Sequence, residues 1–342
     1  MSKIYIFYPK TIQAAWSLCE GMAEALRRMG HNVTNCPAPM APSGDVVPIS
    51  LVEKLKAEFP TLESLSACDV IFISGPEHIA TWIDAVYGAL EWRNLAVPRA
   101  SFYHESSSRA DGQQIDFQQV FWVGSEHFFP AVQDAELYDQ EQFVGGHAHW
   151  SPFAVDTEVF KPRNNTCIAN STIGLGFIGS IYGLRMSFLE ALNRFEHPPL
   201  KLGQCNYQTI DGVDIRRSME MMAVDIRRMK IFFNLPSLSL LLVTKIAEVM
   251  ACGNFLMTPL LGTMGSGHKN MVLFESGRDL VYYRAGNVAQ TARSLMEWSK
   301  PEHDAEREAI ARAGMVRVHR EHSLETRLTW ALEKMGVVTL VQ

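Results

Sequence analysis

The sequence predicts an α/β protein made of two doubly wound units in tandem. Three observations carry this reading: short continuous apolar runs recur along the chain, stretches of helical periodicity separate them, and the rhythm restarts near residue 173. Strands that are apolar throughout, rather than alternating, belong to parallel sheets covered on both faces. The 342-residue length, about twice that of one ordinary domain, agrees with two units.

The first unit opens with KIYIFYP at residues 3 to 9, a β-branched and aromatic run that stops at proline. Residues 11 to 29 repeat apolar side chains at helical spacing through Trp16, Met22, Leu26 and Met29, and Gly30 caps that helix. HNVTNC at 31 to 36 reads as a second strand and runs into a proline-rich loop. DVIFISGP at 69 to 76 is a continuous apolar strand closed by Gly-Pro, and residues 82 to 92 are helical. VPRASFYHES at 97 to 106 is another strand ending in a polar turn, and QVFWVGS at 119 to 125 supplies a further one.

The second unit begins with the glycine-rich strand IGLGFIGS, followed by the amphipathic helix YGLRMSFLEALNRF and the strand KLGQC. KIFFNLP at 230 to 236 is a strand, TKIAEVMACG is a helix with Gly253 in the C-cap role, and NFLMTP and DLVYYR are the next strands. The expected divisions are 1–155, 156–320 and a final helical segment, 321–342. The first junction falls in WSPFAVDTEVFKPRNNT, where two prolines and a polar tract interrupt the pattern. The last stretch is strongly helical and reads as broken around Gly314 and around residues 319 to 323. Leu324, Leu328, Leu332 and Met335, with Trp330 beside them, form an apolar face that must pack on something.

Composition narrows the function classes. With 47% hydrophobic and 20% charged residues the chain can bury large cores, which excludes wholesale disorder. The longest near-apolar stretch, residues 231 to 244, contains asparagine, proline and two serines, so no membrane-spanning helix is expected. The amino terminus has only a five-residue apolar run before Pro9, too short for a signal-peptide core, and the expected location is the cytoplasm. Six cysteines are scattered without a C-x-x-C pair, which argues against both zinc and a disulfide framework. Residues 1 to 155 carry 9 Lys+Arg against 18 Asp+Glu, a net −9, whereas residues 156 to 342 carry 22 against 19, a net +3. The second half therefore favours an anionic small molecule, and the first is a poor general surface for polyanions.

Open parallel sheets bind ligands beyond the carboxyl ends of their strands, where helix amino termini offer free N–H groups. In FIGSIYGLR the strand ends at Gly179 and Ser180, small enough for close backbone approach, and Arg185 follows in the first helical turn. In TKIAEVMACG, Lys245 and Glu248 are spaced i, i+3 at the helix's positive end. A cation for phosphate and a carboxylate for sugar hydroxyls suits a nucleotide; the same spacing also suits a plain local ion pair. Neither G-x-G-x-x-G nor G-x-x-x-x-G-K-[ST] occurs, which leaves nicotinamide enzymes and P-loop hydrolases without their usual signature. DIRRSMEMMAVDIRRMK interleaves arginines with methionines and acids, the pattern of a helix that shields a core with arginine stems.

The runs KIFFNLPS and TKIAEVMACGNFLMTP, then FESGRDLVYYR and VHREHSLETR, resemble the carboxy-terminal domain of GT-B glycosyltransferases, especially the CgeB-like branch. FIGSIYGLR fits as well, and HWSPFAVDTEVFKP is similar to the interdomain junction of the wider retaining superfamily. The resemblance covers residues 150 to 330 well and the first half in outline. It implies two Rossmann-like domains facing across a cleft, with the carboxy-terminal helix crossing back to the first. It implies Glu248 on the nucleotide ribose, Lys245 and Arg185 near the diphosphate, and Gly179 and Ser180 at the close-approach turn. The strand VPRASFYHES would bring His104 over the donor sugar, with Glu105 beside it as an acceptor contact or base. The chain departs from the family at Leu240, where relatives have a glutamate eight residues before Glu248, and at Lys245, where the CgeB-like branch has arginine and its bidentate fork.

The expected activity is transfer of a sugar from a nucleotide diphosphate sugar to an acceptor held by the first domain. Retention of configuration, no cofactor and no obligatory metal are expected. A hydroxymethylated DNA base is the alternative acceptor; a sugar-nucleotide epimerase and a two-lobed small-ligand binding protein are the alternative functions.

Overall fold

The structure is a computed structural model that describes residues 1–10, 17–39, 48–103, 123, 127–130, 147–163, 171–203, 208–210, 213–215, 218–237, 243–260 and 273–337. In the first half, β1 (Lys3–Lys10), α1 (Ser17–Arg28) and β2 (Asn32–Pro39) are followed by α2 (Ile49–Glu58), α3 (Leu62–Ser66) and β3 (Val70–Ser74). Then come α4 (Pro76–Tyr87), α5 (Ala89–Arg93), β4 (Arg99–Tyr103), β5 (His127–Pro130) and the two-residue β6 (His147–Ala148). The strands form one parallel sheet in the order β2-β1-β3-β4-β5-β6. Because β1 pairs with β2 on one side and β3 on the other, the winding reverses between β1 and β3.

Alternate residues of these strands enter two cores, as the side-chain period of two requires. Tyr5, Phe7, Ile71 and Ile73 pack with Trp82, Trp92 and Phe59, and the Phe7 and Trp92 rings meet edge-on with centroids 5.4 Å apart. Ile4, Ile6, Val70 and Phe72 face the other way, onto Met22 and Leu26 of α1.

The second half runs β7 (Ile173–Ile178), α6 (Gly183–Leu192), β8 (Leu200–Gly203), the hairpin β9 (Gln208–Ile210) and β10 (Val213–Ile215), α7 (Met219–Arg227) and β11 (Met229–Phe233). It continues with α8 (Thr244–Ala251), β12 (Phe255–Pro259), β13 (Val281–Tyr283), α9 (Val288–Ser299), α10 (Asp304–Glu321) and α11 (Leu324–Lys334). Its parallel sheet has the order β13-β12-β11-β7-β8, reversing between β7 and β11. Phe177, Phe232, Phe233 and Phe255 fill its core at 1% exposure or less. Two parallel sheets with flanking helices and a returning terminal helix constitute the GT-B architecture.

The chain crosses between the halves twice, and the two crossings pair. Val155 bridges Ser323: the Val155 N–H donates to the His322 carbonyl at 3.0 Å, and the Leu324 N–H donates to the Val155 carbonyl at 3.0 Å. Ser323 caps α11 by accepting from the Thr326 N–H. Leu324, Leu328, Leu332 and Met335 then bury themselves in the first half's second core, against Met22, Phe102 and Phe129. At about 1.5 to 3 kcal/mol for each large apolar side chain removed from water, this face is what holds α11 to the first sheet. Among the described residues no helix is long and apolar enough to cross a membrane.

Three expectations are corrected. Gly314 does not break the terminal helix; it sits buried inside α10, where an added Cβ would collide with the carbonyl oxygen of Asp279. Residues 82 to 92 are not one helix, because Gly88 adopts φ +83 and separates α4 from α5. Val123 lies in a turn and the fifth strand is His127–Pro130; the rest of 119 to 125 falls outside the described residues.

Candidate functional site

The winding of the second sheet reverses between β7 and β11, so their carboxyl ends diverge into a crevice, the place where open α/β sheets hold ligands. Its first wall is the turn after β7. The Gly179 N–H donates to the Gly203 carbonyl at 3.1 Å, and a Cβ on Gly179 would strike the Phe177 ring. Only glycine lets the chain turn this tightly over that ring.

Arg185, in the first turn of α6, reaches across the crevice. Its Nε donates to the Pro236 carbonyl after β11 at 2.8 Å, and its Nη1 donates to the Ser180 carbonyl after β7 at 2.7 Å. The guanidinium also lies over Tyr182 at 4.5 Å and Phe177 at 5.1 Å. It is 8% exposed, so one side chain fixes both lips of the crevice while keeping its charge there.

The second wall is the start of α8. Lys245 Nζ lies 3.4 Å from Glu248 Oε2, with the two side chains 14% and 4% exposed, and 3.4 Å from the Met222 sulfur on α7. Glu248 is thus a buried carboxylate one turn inside a helix whose amino end faces the crevice. Helices α6 and α8 start at Tyr182 and Val243, neither of which caps with its side chain, whereas α7, α9 and α11 are capped by Ser218, Asn287 and Ser323. First-turn amides without a side-chain acceptor suit an anion.

The floor is held from below. Asn234 Nδ2 donates to Thr258 Oγ1 at 2.9 Å, and the Tyr283 hydroxyl donates to the Asn234 carbonyl at 2.7 Å. Burial pushes the Tyr283 phenol well above its ordinary pKa, so it remains a donor. Burial likewise raises the thiol of Cys252, at the end of α8, with Glu248 adding to the effect, which leaves an inert packing group.

Of the residues expected from the sequence, Gly179, Ser180 and Arg185 meet at the turn after β7, and Lys245 pairs with Glu248 at the start of α8, the helix that follows the neighbouring strand β11. His104, Glu105 and Leu240 lie outside the described residues. Sequence reasoning missed Tyr182, Asn234 and Tyr283. Asn234 carried a signal, a polar residue closing the apolar run KIFF; the Tyr182 and Tyr283 partners are distant in sequence and gave none.

Residues 185–333 match the family model described as "Glycosyl transferase-like". A sequence comparison with curated proteins finds no match. Solved structures are similar over nearly the whole chain. An alpha-glucosyltransferase in complex with UDP-glucose and DNA containing an abasic site superposes with a TM-score of 0.65 at 10% identity, covering 98% of this chain and 99% of that one. Anabaena Alr3699/HepE in complex with UDP and glucose gives 0.61 at 11% identity, covering 98% and 100%. Sucrose-phosphate synthase from Thermosynechococcus elongatus gives 0.59 at 12% identity, covering 98% and 99%. At these identities the likeness is one of fold.

Proposed function

We propose that the protein is a cytoplasmic glycosyltransferase that moves a sugar from a nucleotide diphosphate sugar to an acceptor hydroxyl. The observation that carries the reading is the pairing of Lys245 with buried Glu248 at the amino end of α8, opposite the Arg185-held turn at Gly179 and Ser180. In this reading Glu248 accepts hydrogen bonds from the ribose, and Lys245, Arg185 and the amides of α6 and α8 compensate the diphosphate as it leaves. No obligatory metal is then required for that charge. The acceptor binds the first half, and its hydroxyl oxygen bonds to the anomeric carbon on the face from which the diphosphate departs, while the bond to the diphosphate breaks and the hydroxyl proton passes to the departing diphosphate. His104 and Glu105 supply the sugar and acceptor contacts, and the configuration is retained; both points rest on the resemblance to CgeB-like relatives and the retaining superfamily.

A second acceptor reading is a hydroxymethyl-pyrimidine in DNA, favoured by the likeness to the alpha-glucosyltransferase solved with DNA. The net −9 of residues 1 to 155 opposes a polyanion on the acceptor side, so a carbohydrate, protein or small molecule is preferred.

A panel of nucleotide sugars tests the activity. A transferase slowly hydrolyses one donor, or transfers its sugar when an acceptor is present. Interconversion of two donors would instead indicate an epimerase, and binding that leaves every donor intact would indicate a binding protein.

A further inference from the structure

The residue at the cap position ahead of α8 is Val243, in an extended conformation with φ −67 and ψ 149 and with no side-chain cap hydrogen bond. Valine is among the poorest N-cap residues, because an apolar side chain leaves the first-turn N–H groups to water or to a ligand. Helix stability therefore does not account for this residue. Its packing does. Val243 is partly buried and lies against the core of the second half, which holds Leu235 and Ile246, and also against the core of the first half that holds Ile73, Ile79 and Trp82. Among the described residues it is the partly buried apolar side chain that packs on a core of each half.

The halves are thus joined in two places. One is the pair of crossings, where Val155 bridges Ser323 and Arg28 holds Asp156 and Glu325. Movement of two domains about such a narrow junction is the ordinary expectation, and a second contact away from it fixes their angle. The far end of α8 lies near the second crossing, where the Ala251 carbonyl oxygen is 3.0 Å from His319 Nε2. Val243 stands about 12 Å further along the helix axis, at a rise of about 1.5 Å per residue. It directly precedes Thr244 and Lys245, at the start of the helix that carries Glu248.

We propose that Val243 is a positioning residue for sugar transfer: it sets the first half against the donor helix, so that an acceptor held on one half meets a donor held on the other. This rests on the activity proposed above. Reacting groups borne by two bodies gain rate only when those bodies are held in register. The contact is apolar and touches no reacting atom, so it governs the rate of transfer and leaves nucleotide affinity to Lys245 and Glu248.

Val243→Ala shortens the side chain, and Val243→Ile keeps it long and apolar. Alanine, valine and isoleucine are all poor caps, so neither variant alters the end of α8, and Ile246, Val249 and Met250 keep the helix anchored. Small-angle scattering of the full chain reads the seating of the halves without any substrate. Calorimetry with uridine diphosphate reads nucleotide binding, and steady-state kinetics with the donor selected by the nucleotide-sugar panel reads transfer. Val243→Ala should enlarge the radius of gyration, keep the diphosphate dissociation constant within about twofold of the parent's, and lower kcat about three- to tenfold. Val243→Ile should behave as the parent in all three. Scattering of Val243→Ala that superimposes on the parent's, or an unchanged kcat, would overturn the proposal. So would a loss of diphosphate affinity as large as the loss of kcat, since that would mark a plain defect of α8. A parent that transfers no sugar from any donor would overturn the proposed activity instead, and the scattering would still show whether Val243 joins the halves.

Discussion

Arg28 on α1 holds Asp156 across the junction of the two halves, Nη2 to Oδ1 at 3.0 Å and Nη1 to Oδ2 at 3.3 Å, and the same guanidinium lies 2.6 Å from Glu325. Asp156 belongs to the first crossing and Glu325 to the second, so one side chain of the first half fastens both. The Asp156 side chain is 3% exposed and that of Arg28 34%. Removing Arg28 therefore leaves a carboxylate that is buried and has lost its cation. Arg28→Ala should cost about 1 to 3 kcal/mol in urea unfolding, discounted from a fully buried pair because Arg28 reaches solvent. Pairing it with Asp156→Asn should cost less than the two single losses added together; strict additivity would mean that the contact contributes nothing to the junction.

Gly314→Ala offers a test with opposite signs. In an exposed helix this change stabilises by about 1 kcal/mol. Here α10 lies so close to the 275–280 turn that the new methyl would meet the Asp279 carbonyl, and it would also come within 2.9 Å of the Met250 methyl. Asp279 cannot retreat easily: its carboxylate accepts from the Glu275 N–H and from Arg278, and it pairs with Arg317. The expected outcome is a loss of about 1 to 3 kcal/mol, the range of overpacked cores. A gain would show that the helix moves aside freely.

That glycine also shows where sequence reading reaches its limit. A glycine that breaks a helix and one that permits close packing look alike in a sequence, because the deciding atom, the Asp279 oxygen, is 35 positions away. The uniformly buried runs at β1, β3, β11 and β12 were legible because a fully covered parallel strand carries an unbroken apolar pattern. The short strands β5 and β6, at one end of the first sheet, and the β9–β10 hairpin lack that pattern and were not read. At the candidate site, the place of Lys245 and Glu248 in the first turns of a helix that follows a strand was legible from the apolar run before it and the helical spacing after it. The grip of Arg185 on the Pro236 carbonyl was not, since it joins a helix start to a loop 51 residues away.

Glu248→Gln distinguishes ligand contact from simple packing, since it keeps the shape of the side chain and removes its charge. If the carboxylate accepts from a ribose, affinity for free nucleoside diphosphate should fall tenfold to a hundredfold, or about 1.5 to 3 kcal/mol. Calorimetry measures this directly. The mutant should stay folded because Ile246, Val249 and Met250 continue to anchor α8. An unchanged dissociation constant in the folded protein would reduce the pair to a local salt bridge.

His322 gives the fold a pH dependence of predictable sign. It is buried at the second crossing, with Arg327 against Nδ1, the Phe274 ring at 5.2 Å, Glu321 at 4.0 Å and Arg317 nearby. Burial, reinforced by the two arginines and only partly opposed by Glu321, lowers its pKa from 6.5 to about 4. The folded chain thus keeps His322 neutral where the unfolded chain protonates it. Between those two values the unfolded state binds more protons, so stability falls as pH drops through that window and does not respond to this group above it. The shift corresponds to a loss on the order of 3 kcal/mol across the whole window. His322→Gln cannot titrate, so urea unfolding of mutant and parent at about pH 7 and about pH 5 isolates the effect. The parent's advantage should shrink at the lower pH. A constant difference between the two proteins would mean that His322 titrates in the folded state as it does in the unfolded chain, and its burial at the second crossing would then not shift its protonation.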